Sequence, residues 1–235
     1  DTGWVRETDS KGITRVGHCP CRLEQVDLGK EQQRHNKGKD ELNLCSIALF
    51  DFSRGRKKQS EAILRDITRP DGSIYRISAS TSRDTGLPTA ADQDLIVILE
   101  QMTWEQKSPE KVLFEPEDLL RRLGRKGGSN YENTRQGFKR LAAMLVLLWS
   151  GWYDKKNGKL TNVGGFHIID SYNWPTKEDL EKGANPQCFF TWGSAIKDSM
   201  KIGAWKALDL GVYQKIQSPI GRFAYRYASR ALHKR

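Results

Sequence analysis

The sequence has few cysteines and lacks a long hydrophobic run. Its longest apolar segment, residues 141–149, is far shorter than the roughly 20 residues that a helix needs to cross a bilayer, so we expect no membrane span. Its four cysteines include no Cys-x-x-Cys pair, which excludes a dense disulfide framework and favours a reducing compartment. No charged-then-apolar signal peptide opens the chain, and we expect a cytoplasmic protein. The first residue is Asp rather than Met, so we expect a missing or processed amino end.

Motifs that would carry catalysis or hold a metal are also lacking. The sequence has no Gly-x(4)-Gly-Lys-Ser/Thr phosphate loop, and no His-x-His pair precedes a tyrosine as in nicking relaxases. His18, Cys19 and Cys21 lie close together, but Cys-x-Cys holds both thiolates on nearly the same turn, unlike the Cys-x(2–4)-Cys spacing of zinc sites. We therefore expect no enzymatic activity, no cofactor and no metal.

Positive charge is in excess. The chain has 39 Lys and Arg against 29 Asp and Glu, a formal net charge of +10. Such an excess favours a polyanionic partner, and nucleic acid fits better than an anionic membrane face. A hydrophobic content of 37% is enough for a packed core.

The pattern along the chain divides it into three stretches. Residues 1–40 are polar and predict a flexible arm. Residues 41–175 predict a first domain, and residues 176–235 a second, shorter one. Strands are expected near the start of the first domain, at residues 42–50, 62–67 and 74–78.

The order of the next elements predicts a winged helix-turn-helix within an α+β fold. Thr89 is placed to cap a long amphipathic helix, and residues 112–114 read as a short strand. A second helix spans residues 116–123, and a third opens with a capping box formed by Ser129 and Glu132. A hairpin then follows.

The hairpin is expected to turn through Asn157 and Gly158, a favoured type I′ pair. Its tip carries Lys155, Lys156 and Lys159, which suit a wing lying along a phosphate backbone or minor groove. A solvent-exposed turn with ordinary lysines is the alternative.

The helix after Ser129 is predicted to read DNA. Residues 121–140 contain seven basic residues, and Glu132 is their only acidic neighbour. Arg, Asn and Gln can bind base edges, while Lys binds phosphate. The predicted DNA contacts of this segment are Arg125, Lys126, Asn133, Arg135, Gln136, Lys139 and Arg140. A solvated amphipathic helix is the alternative.

The last helix, which begins at Ser218 and Pro219, gives a second basic stripe. Its cations recur every four residues, and apolar residues such as Ile220 and Tyr227 form the side expected to be buried. The predicted phosphate contacts of this helix are Arg222, Arg226, Arg230 and Lys234. A helix whose acidic partners lie elsewhere in the fold is the alternative.

Three segments resemble a known family. Residues 42–50, residues 86–94 (GLPTAADQD) and residues 208–226 resemble plasmid replication initiators of the replication initiator protein A group. The resemblance runs from about residue 42 to the end and is most specific at residues 86–94. It implies tandem winged-helix domains, the second short or incomplete in this chain, that bind repeated double-stranded DNA sites (iterons) at a plasmid origin.

The resemblance also implies partners and a cellular setting. Such proteins help to melt the adjacent AT-rich DNA and recruit the host helicase, with the host replication initiator as a further partner. They often act as monomers at the origin and as homodimers that repress their own gene. The expected location is the bacterial cytoplasm, at the nucleoid or plasmid.

Three other functions fit parts of the pattern. A winged-helix transcriptional regulator would use the same motif at a promoter. A DNA nicking enzyme or relaxase belongs to another chemical class, and cleavage of supercoiled plasmid would reveal it. A dimerising adaptor would use the strands between Leu42 and Ile77 as its interface.

Overall fold

The computed structural model describes residues 4–8, 14–18, 37–47, 49–50, 62–68, 72–176, 179 and 187–233. The strands are β1 (Trp4–Thr8), β2 (Thr14–His18), β3 (Lys37–Glu41), β4 (Ala62–Thr68), β5 (Ile74–Ser80), β6 (Val112–Leu113), β7 (Leu145–Asp154), β8 (Lys159–His167), β9 (Ile169–Asn173), β10 (Phe189–Trp192) and β11 (Trp205–Asp209). The helices are α1 (Ala90–Gln106), α2 (Pro116–Arg122), α3 (Ser129–Ala143), α4 (Ser194–Lys201), α5 (Leu210–Lys215) and α6 (Pro219–His233). The mixture of helices and antiparallel sheets agrees with the predicted α+β class.

Helix α1 forms the centre of the core. Its start is capped as predicted, because the Asp92 carboxylate accepts hydrogen bonds from the backbone N and the hydroxyl of Thr89 at 2.7 and 3.0 Å. Every residue from Leu95 to Thr103 is buried, so the middle of α1 is enclosed on all sides, while both of its ends reach the surface. The expected single apolar face is therefore corrected to a helix that is buried all round over its central turns.

The predicted helices and short strand after α1 are present and pack around a small sheet. Pro116 occupies the first turn of α2, and Gly124, just after its end, has a φ of +67°. Strands β6, β10 and β9 form an antiparallel sheet in that spatial order. The elements therefore run helix, strand, helix, helix, with two further strands that complete the sheet after the β7–β8 hairpin.

The predicted capping box at the start of α3 is wrong. The residue that caps α3 is Gly128, with a φ of +71°. The Glu132 side chain points along the helix and bonds Arg135 and Gln136 instead of turning back to the backbone. Two cationic or amide donors on the next turn outcompete one backbone N–H for this carboxylate.

A four-stranded antiparallel sheet, in the order β4–β5–β7–β8, packs against the same core. Strands β4 and β5 were both predicted. The type I′ turn of the hairpin is wrong, because it requires positive φ at both central residues and Asn157 is not in that region, although Gly158 has a φ of +65°. Instead, the Asp154 carboxylate accepts from the backbone N of Lys156 at 2.9 Å and supports a four-residue turn.

The predicted strand at residues 42–50 is also wrong. The strand in this region is β3, which ends at Glu41 and pairs with β11. The Glu41 carboxylate then accepts from the backbone N of Asn43 at 2.8 Å and of Leu44 at 2.7 Å, which bends the chain into a 3₁₀ turn. Residues 37–40 are thus part of the fold rather than of a flexible arm.

The predicted boundary after residue 175 cuts through a sheet. Strand β10, on its far side, pairs with β9 and β6, and β11 pairs with β3. The remaining division of the chain into two winged-helix domains stays a prediction.

Among the described helices, none is long and apolar enough to cross a membrane. Within the described ranges, no group of three His, Cys, Asp or Glu side chains is arranged to hold a metal. Cys19 and Cys21 lie outside those ranges.

Candidate nucleic-acid interface

An aromatic cluster fixes helix α3 to the protein. Phe138 on its inner face is fully buried and stacks on Phe114 at a ring-centroid distance of 5.5 Å. Trp174 and Phe190 pack against the Phe138 ring at 5.4 and 6.0 Å. These four rings come from α3, from the residues just after β6 and β9, and from the central strand β10. Together they hold the outer face of α3 in one orientation.

An ion pair ties α3 to the first turn of α1. The Nε and Nη2 atoms of Arg140 donate to the two carboxylate oxygens of Asp92 at 2.7 and 2.8 Å. The Asp92 side chain is 3% exposed, and a Cβ atom on Gly137 would lie 2.6 Å from its Oδ1. Arg140 therefore helps to position the helix, and its predicted DNA contact stays a prediction.

Arg125 has a similar role in the turn between α2 and α3. Its Nη1 donates to the hydroxyl of Thr134 at 3.2 Å, and its Nη2 donates to the carbonyl of Ala91 at 3.1 Å. Both contacts are within the protein, so Arg125 supports the position of this turn, and its predicted DNA contact stays a prediction. Lys126, the next residue, is exposed.

The outward face of α3 carries a row of hydrogen-bonding side chains. Asn133 and Lys139 are exposed, and Gln136 between them is half-buried. Their spacing of three residues keeps them on one side of the helix over two turns. Amide groups can bind base edges and an ammonium group can bind phosphate, so the face has the chemistry that duplex recognition needs.

Glu132 neutralises part of this face. Its two carboxylate oxygens accept from Nε and Nη2 of Arg135, both at 2.8 Å, and one also accepts from Nε2 of Gln136 at 2.6 Å. The hydrogen bonds from Arg135 and Gln136 lower the pKa of Glu132 from 4.5 to about 2. Arg135 is consequently paired with an acid before any ligand arrives, and a phosphate has to compete with that acid.

Helix α6 faces the opposite way from the sequence-based prediction. Arg226 is fully buried, and its guanidinium bonds Asp40 and Glu100. Ile220 and Tyr227, which were expected on the buried side, are 59% and 44% exposed. The prediction that Arg226 contacts DNA is wrong, because a side chain without exposed surface cannot reach a phosphate.

The remaining cations of α6 do not form an open basic stripe either. Arg222 donates from Nη1 to Oδ2 of Asp94 at 2.5 Å and from Nε to the carbonyl of Ile216 at 2.8 Å. Arg230 is half-buried. Lys234 lies outside the described residues.

The charges around Arg226 form a buried network. Nζ of Lys206 lies 2.9 Å from Oδ2 of Asp40, and neither side chain is exposed. Burial opposes ionisation of Asp40, but the charges of Arg226 and Lys206 hold its pKa below the usual value. Burial raises the pKa of Glu100 well above its ordinary value, and the nearby Asp40 charge adds to this rise. The last helix is thus attached to β3 and α1 by ion pairs, and to β11 by a hydrogen bond from Nζ of Lys206 to the Ser229 hydroxyl.

The tip of the β7–β8 hairpin does not share a surface with α3. Nζ of Lys155 donates to the carbonyl of Gly203 at 2.5 Å, just before β11. Trp205 in β11 contacts Trp104 near the C-terminal end of α1, at a ring-centroid distance of 5.7 Å. Helix α3 instead packs near the N-terminal end of α1, at Asp92. The three predicted tip lysines, Lys155, Lys156 and Lys159, therefore lie at the other end of α1.

A family model matches most of the chain. The model described as replication initiator protein A covers residues 39–234. The chain belongs to the replication initiator protein A family. No curated protein matches it in sequence.

This replication initiator family member is similar in fold to domains 2 and 3 of RctB. A crystal structure of selenomethionine derivatives of those domains gives a TM-score of 0.53 at 12% identity, covering 80% of this chain and 70% of that one. A second crystal structure of RctB domains 2–3 gives a TM-score of 0.41 at 15% identity, with coverages of 60% and 53%. The first of these shows a shared fold.

Sequence reasoning missed the charged partners of the last helix, α6. Asp40 fell in the stretch predicted as a polar arm, and Glu100 and Lys206 were given no role. One signal was present for Glu100, which stands inside the apolar run of α1 between Leu99 and Met102. A carboxylate within such a run is seldom buried without a cationic partner.

Proposed function

We propose that this replication initiator family member binds duplex DNA through helix α3, as a winged helix-turn-helix. The order α1, β6, α2, α3, β9, β10, with the sheet order β6–β10–β9, supports this proposal. In such a fold the second helix after the short strand is the one that enters the major groove. The β7–β8 hairpin belongs to the other sheet, so its tip is not the wing in this arrangement.

The observation that carries the proposal is the exposed row on α3. Asn133 supplies an amide that can bind the N6 and N7 atoms of adenine, as does Gln136 once its Nε2 leaves Glu132, and Lys126 and Lys139 supply phosphate contacts at the two ends. Arg135 joins them once it exchanges Glu132 for a phosphate. Except for Lys126, which lies in the turn just before it, these groups stand on a helix that Phe138 and the Asp92–Arg140 pair hold in place, as recognition of a base requires.

Membership of the replication initiator protein A family supports a proposal for the biological setting. We propose that the DNA sites are repeats at a plasmid origin, and that binding precedes opening of the adjacent duplex and loading of the host helicase. The protein acts without catalysis of its own. Homodimers, when they form, repress its gene.

The test is a fluorescence-anisotropy titration of the full chain with labelled duplexes that tile the DNA flanking its gene. Asn133→Ala and Gln136→Ala should each weaken binding to the best site by about 1–3 kcal/mol and leave random duplex unaffected. Lys139→Ala should weaken binding to all sequences alike. Lys156→Ala, at the other end of α1, is the matched control.

Two results would overturn the proposal. One is unchanged affinity for every duplex in all three α3 variants. The other is nicking of supercoiled plasmid in Mg²⁺ by the purified protein that a variant lacking this activity, purified in the same way, does not show. Such nicking would favour an enzyme.

A further inference from the structure

An apolar groove lies at the end of α1 that is remote from α3. The C-terminal end of α1, the segment after it and the region from α4 to β11 enclose a cavity of about 420 Å³. The residues that form its walls include Trp104, Lys107, Pro109, Met200, Lys201 and Trp205. We call this cavity the tryptophan groove.

The floor of the tryptophan groove is aromatic and partly open to solvent. Trp104 is 44% exposed and meets Trp205 edge to face, with an angle of 69° between the rings. The indole N–H of Trp205 donates to the carbonyl of Met200 at 3.2 Å. Ile202, beside the groove, is also 44% exposed. A patch of large apolar side chains left open in this way is typical of a binding surface rather than of a free monomer surface.

The rim of the groove is positively charged. Nζ of Lys39 lies 4.6 Å from the centre of the Trp104 ring, and Lys107 is exposed at the end of α1. Lys197 and Lys201 both pair with Glu110, which leaves one carboxylate shared between two ammonium groups. Of the residues that line the cavity, Lys107 and Lys201 are cationic and none is acidic. The surface therefore favours a ligand that combines apolar and acidic groups.

The tryptophan groove and the outward face of α3 are separate surfaces. Helix α3 contacts α1 around Asp92 and Leu95, whereas the groove begins at Trp104. Nine residues of helix from Leu95 to Trp104 span about 14 Å. One molecule can therefore occupy the groove while DNA lies on α3.

We propose that the tryptophan groove docks an acidic segment of a partner protein through a single aromatic or aliphatic anchor side chain. The anchor enters between Trp104 and Met200, and flanking carboxylates meet Lys39, Lys107 and Lys201. The volume of the groove suits one or two large side chains rather than a whole helix. Such a surface gives a DNA-bound initiator a place to hold a second protein.

A peptide fits this surface better than single-stranded nucleic acid does. Base stacking needs an open aromatic face, and Lys39 already lies over one face of Trp104. The Trp205 ring also packs against Trp104, at a ring-centroid distance of 5.7 Å. The accessible part of the groove is therefore a concave cavity, which can accept a side chain inserted end-on.

The test uses three fluorescein-labelled dodecapeptides, each with four Asp or Glu residues around a central Phe, Leu or Trp. Binding to the full chain is followed by anisotropy. We expect at least one peptide to bind in the micromolar range, with Trp104→Ala weakening it at least about tenfold, as for an interface anchor. Lys107→Glu, which leaves the core intact, should weaken it about fivefold. Trp149→Ala, which removes a tryptophan of equal exposure on another surface, is the matched control.

The expected pattern separates this groove from the proposed DNA site. Lys139→Glu should weaken duplex binding and leave peptide binding within about twofold, and Lys107→Glu should do the reverse. The proposal is overturned if no peptide binds below 1 mM, or if peptides carrying Lys in place of the acids bind as tightly. It is also overturned if labelled oligothymidine binds and Trp104→Ala weakens it while no peptide binds, because the groove is then a single-strand site.

Discussion

Arg226 and Asp40 form a two-point ion pair across 186 positions of the chain, at a depth where neither side chain is exposed. The pair joins the last helix, α6, to β3, and Glu100 and Lys206 complete its charges. Removing one member of such a buried pair costs folding free energy, because the remaining member stays charged in the interior without that partner. The attachment of α6 therefore depends on keeping the network whole.

Arg226→Ala should destabilise the protein strongly. We expect a loss of about 3–5 kcal/mol in the free energy of unfolding, since Asp40 would stay buried without its main cation. Urea denaturation followed by circular dichroism measures the change. Arg76→Ala, which breaks an exposed ion pair with Asp66, should have no measurable effect. A folded Arg226→Ala protein of normal stability that has lost DNA affinity would return this residue to the DNA interface.

Gly137→Ala should loosen the contact between α1 and α3. An added Cβ would lie 2.6 Å from Oδ1 of Asp92 and 3.0 Å from Cδ2 of Leu95, so the helices must separate or the Asp92–Arg140 pair must shift. The gain in helix propensity is smaller than the cost of overpacking, and we expect a net loss of about 1–2 kcal/mol in thermal or urea unfolding. Gly127→Ala, with no atom within 4 Å of the new Cβ, is the control. Equal stability of the two variants would contradict the tight packing.

Glu132→Gln should strengthen non-specific DNA binding. The carboxylate holds Arg135 through two hydrogen bonds of 2.8 Å, and a neutral amide of the same shape would free that cation for a phosphate. We expect affinity for random duplex to rise several-fold and the slope of log K against log salt to steepen by about 1. Glu110→Gln removes a lysine-paired carboxylate at the far end of α1 and serves as the control. An unchanged slope would mean that Arg135 does not face the DNA.

Lys126→Ala and Lys156→Ala should differ in their effect on DNA binding. Lys126 lies in the turn just before α3, whereas Lys156 lies on the hairpin tip, next to the Lys155 that bonds Gly203. We expect Lys126→Ala to weaken binding to every duplex several-fold and Lys156→Ala to change it by less than about twofold. Anisotropy titrations at one salt concentration make the comparison. The reverse order would restore the hairpin tip as the wing.

Local signals were sufficient to predict α1, α2, α3 and the strands β4 and β5. Thr89 with Asp92, Pro116 and Gly124 act on neighbouring backbone, and the physics of a cap or a helix end needs only those neighbours. The same reasoning failed at Glu132, where a side chain had two sets of partners within reach and the stronger donors prevailed.

The orientation of α6 could not be predicted from its own sequence. A four-residue period separates a cationic side from an apolar side, but it does not say which side faces the core. That choice was made by Asp40, Asp94 and Glu100, which lie more than a hundred positions earlier in the chain. The outward orientation of Asn133 and Lys139, in contrast, could be predicted. The apolar face of α3 alone determines which side of that helix faces solvent.

Ionic strength should act differently on the two kinds of cation in this molecule. Dissolved ions screen exposed lysines such as Lys126 and Lys139 but do not enter the dry contact between Arg226 and Asp40. A concentrated chloride wash should consequently strip nucleic acid from the protein while its carboxyl-terminal segment stays anchored. DNA that copurifies with the protein should therefore be removable without denaturant.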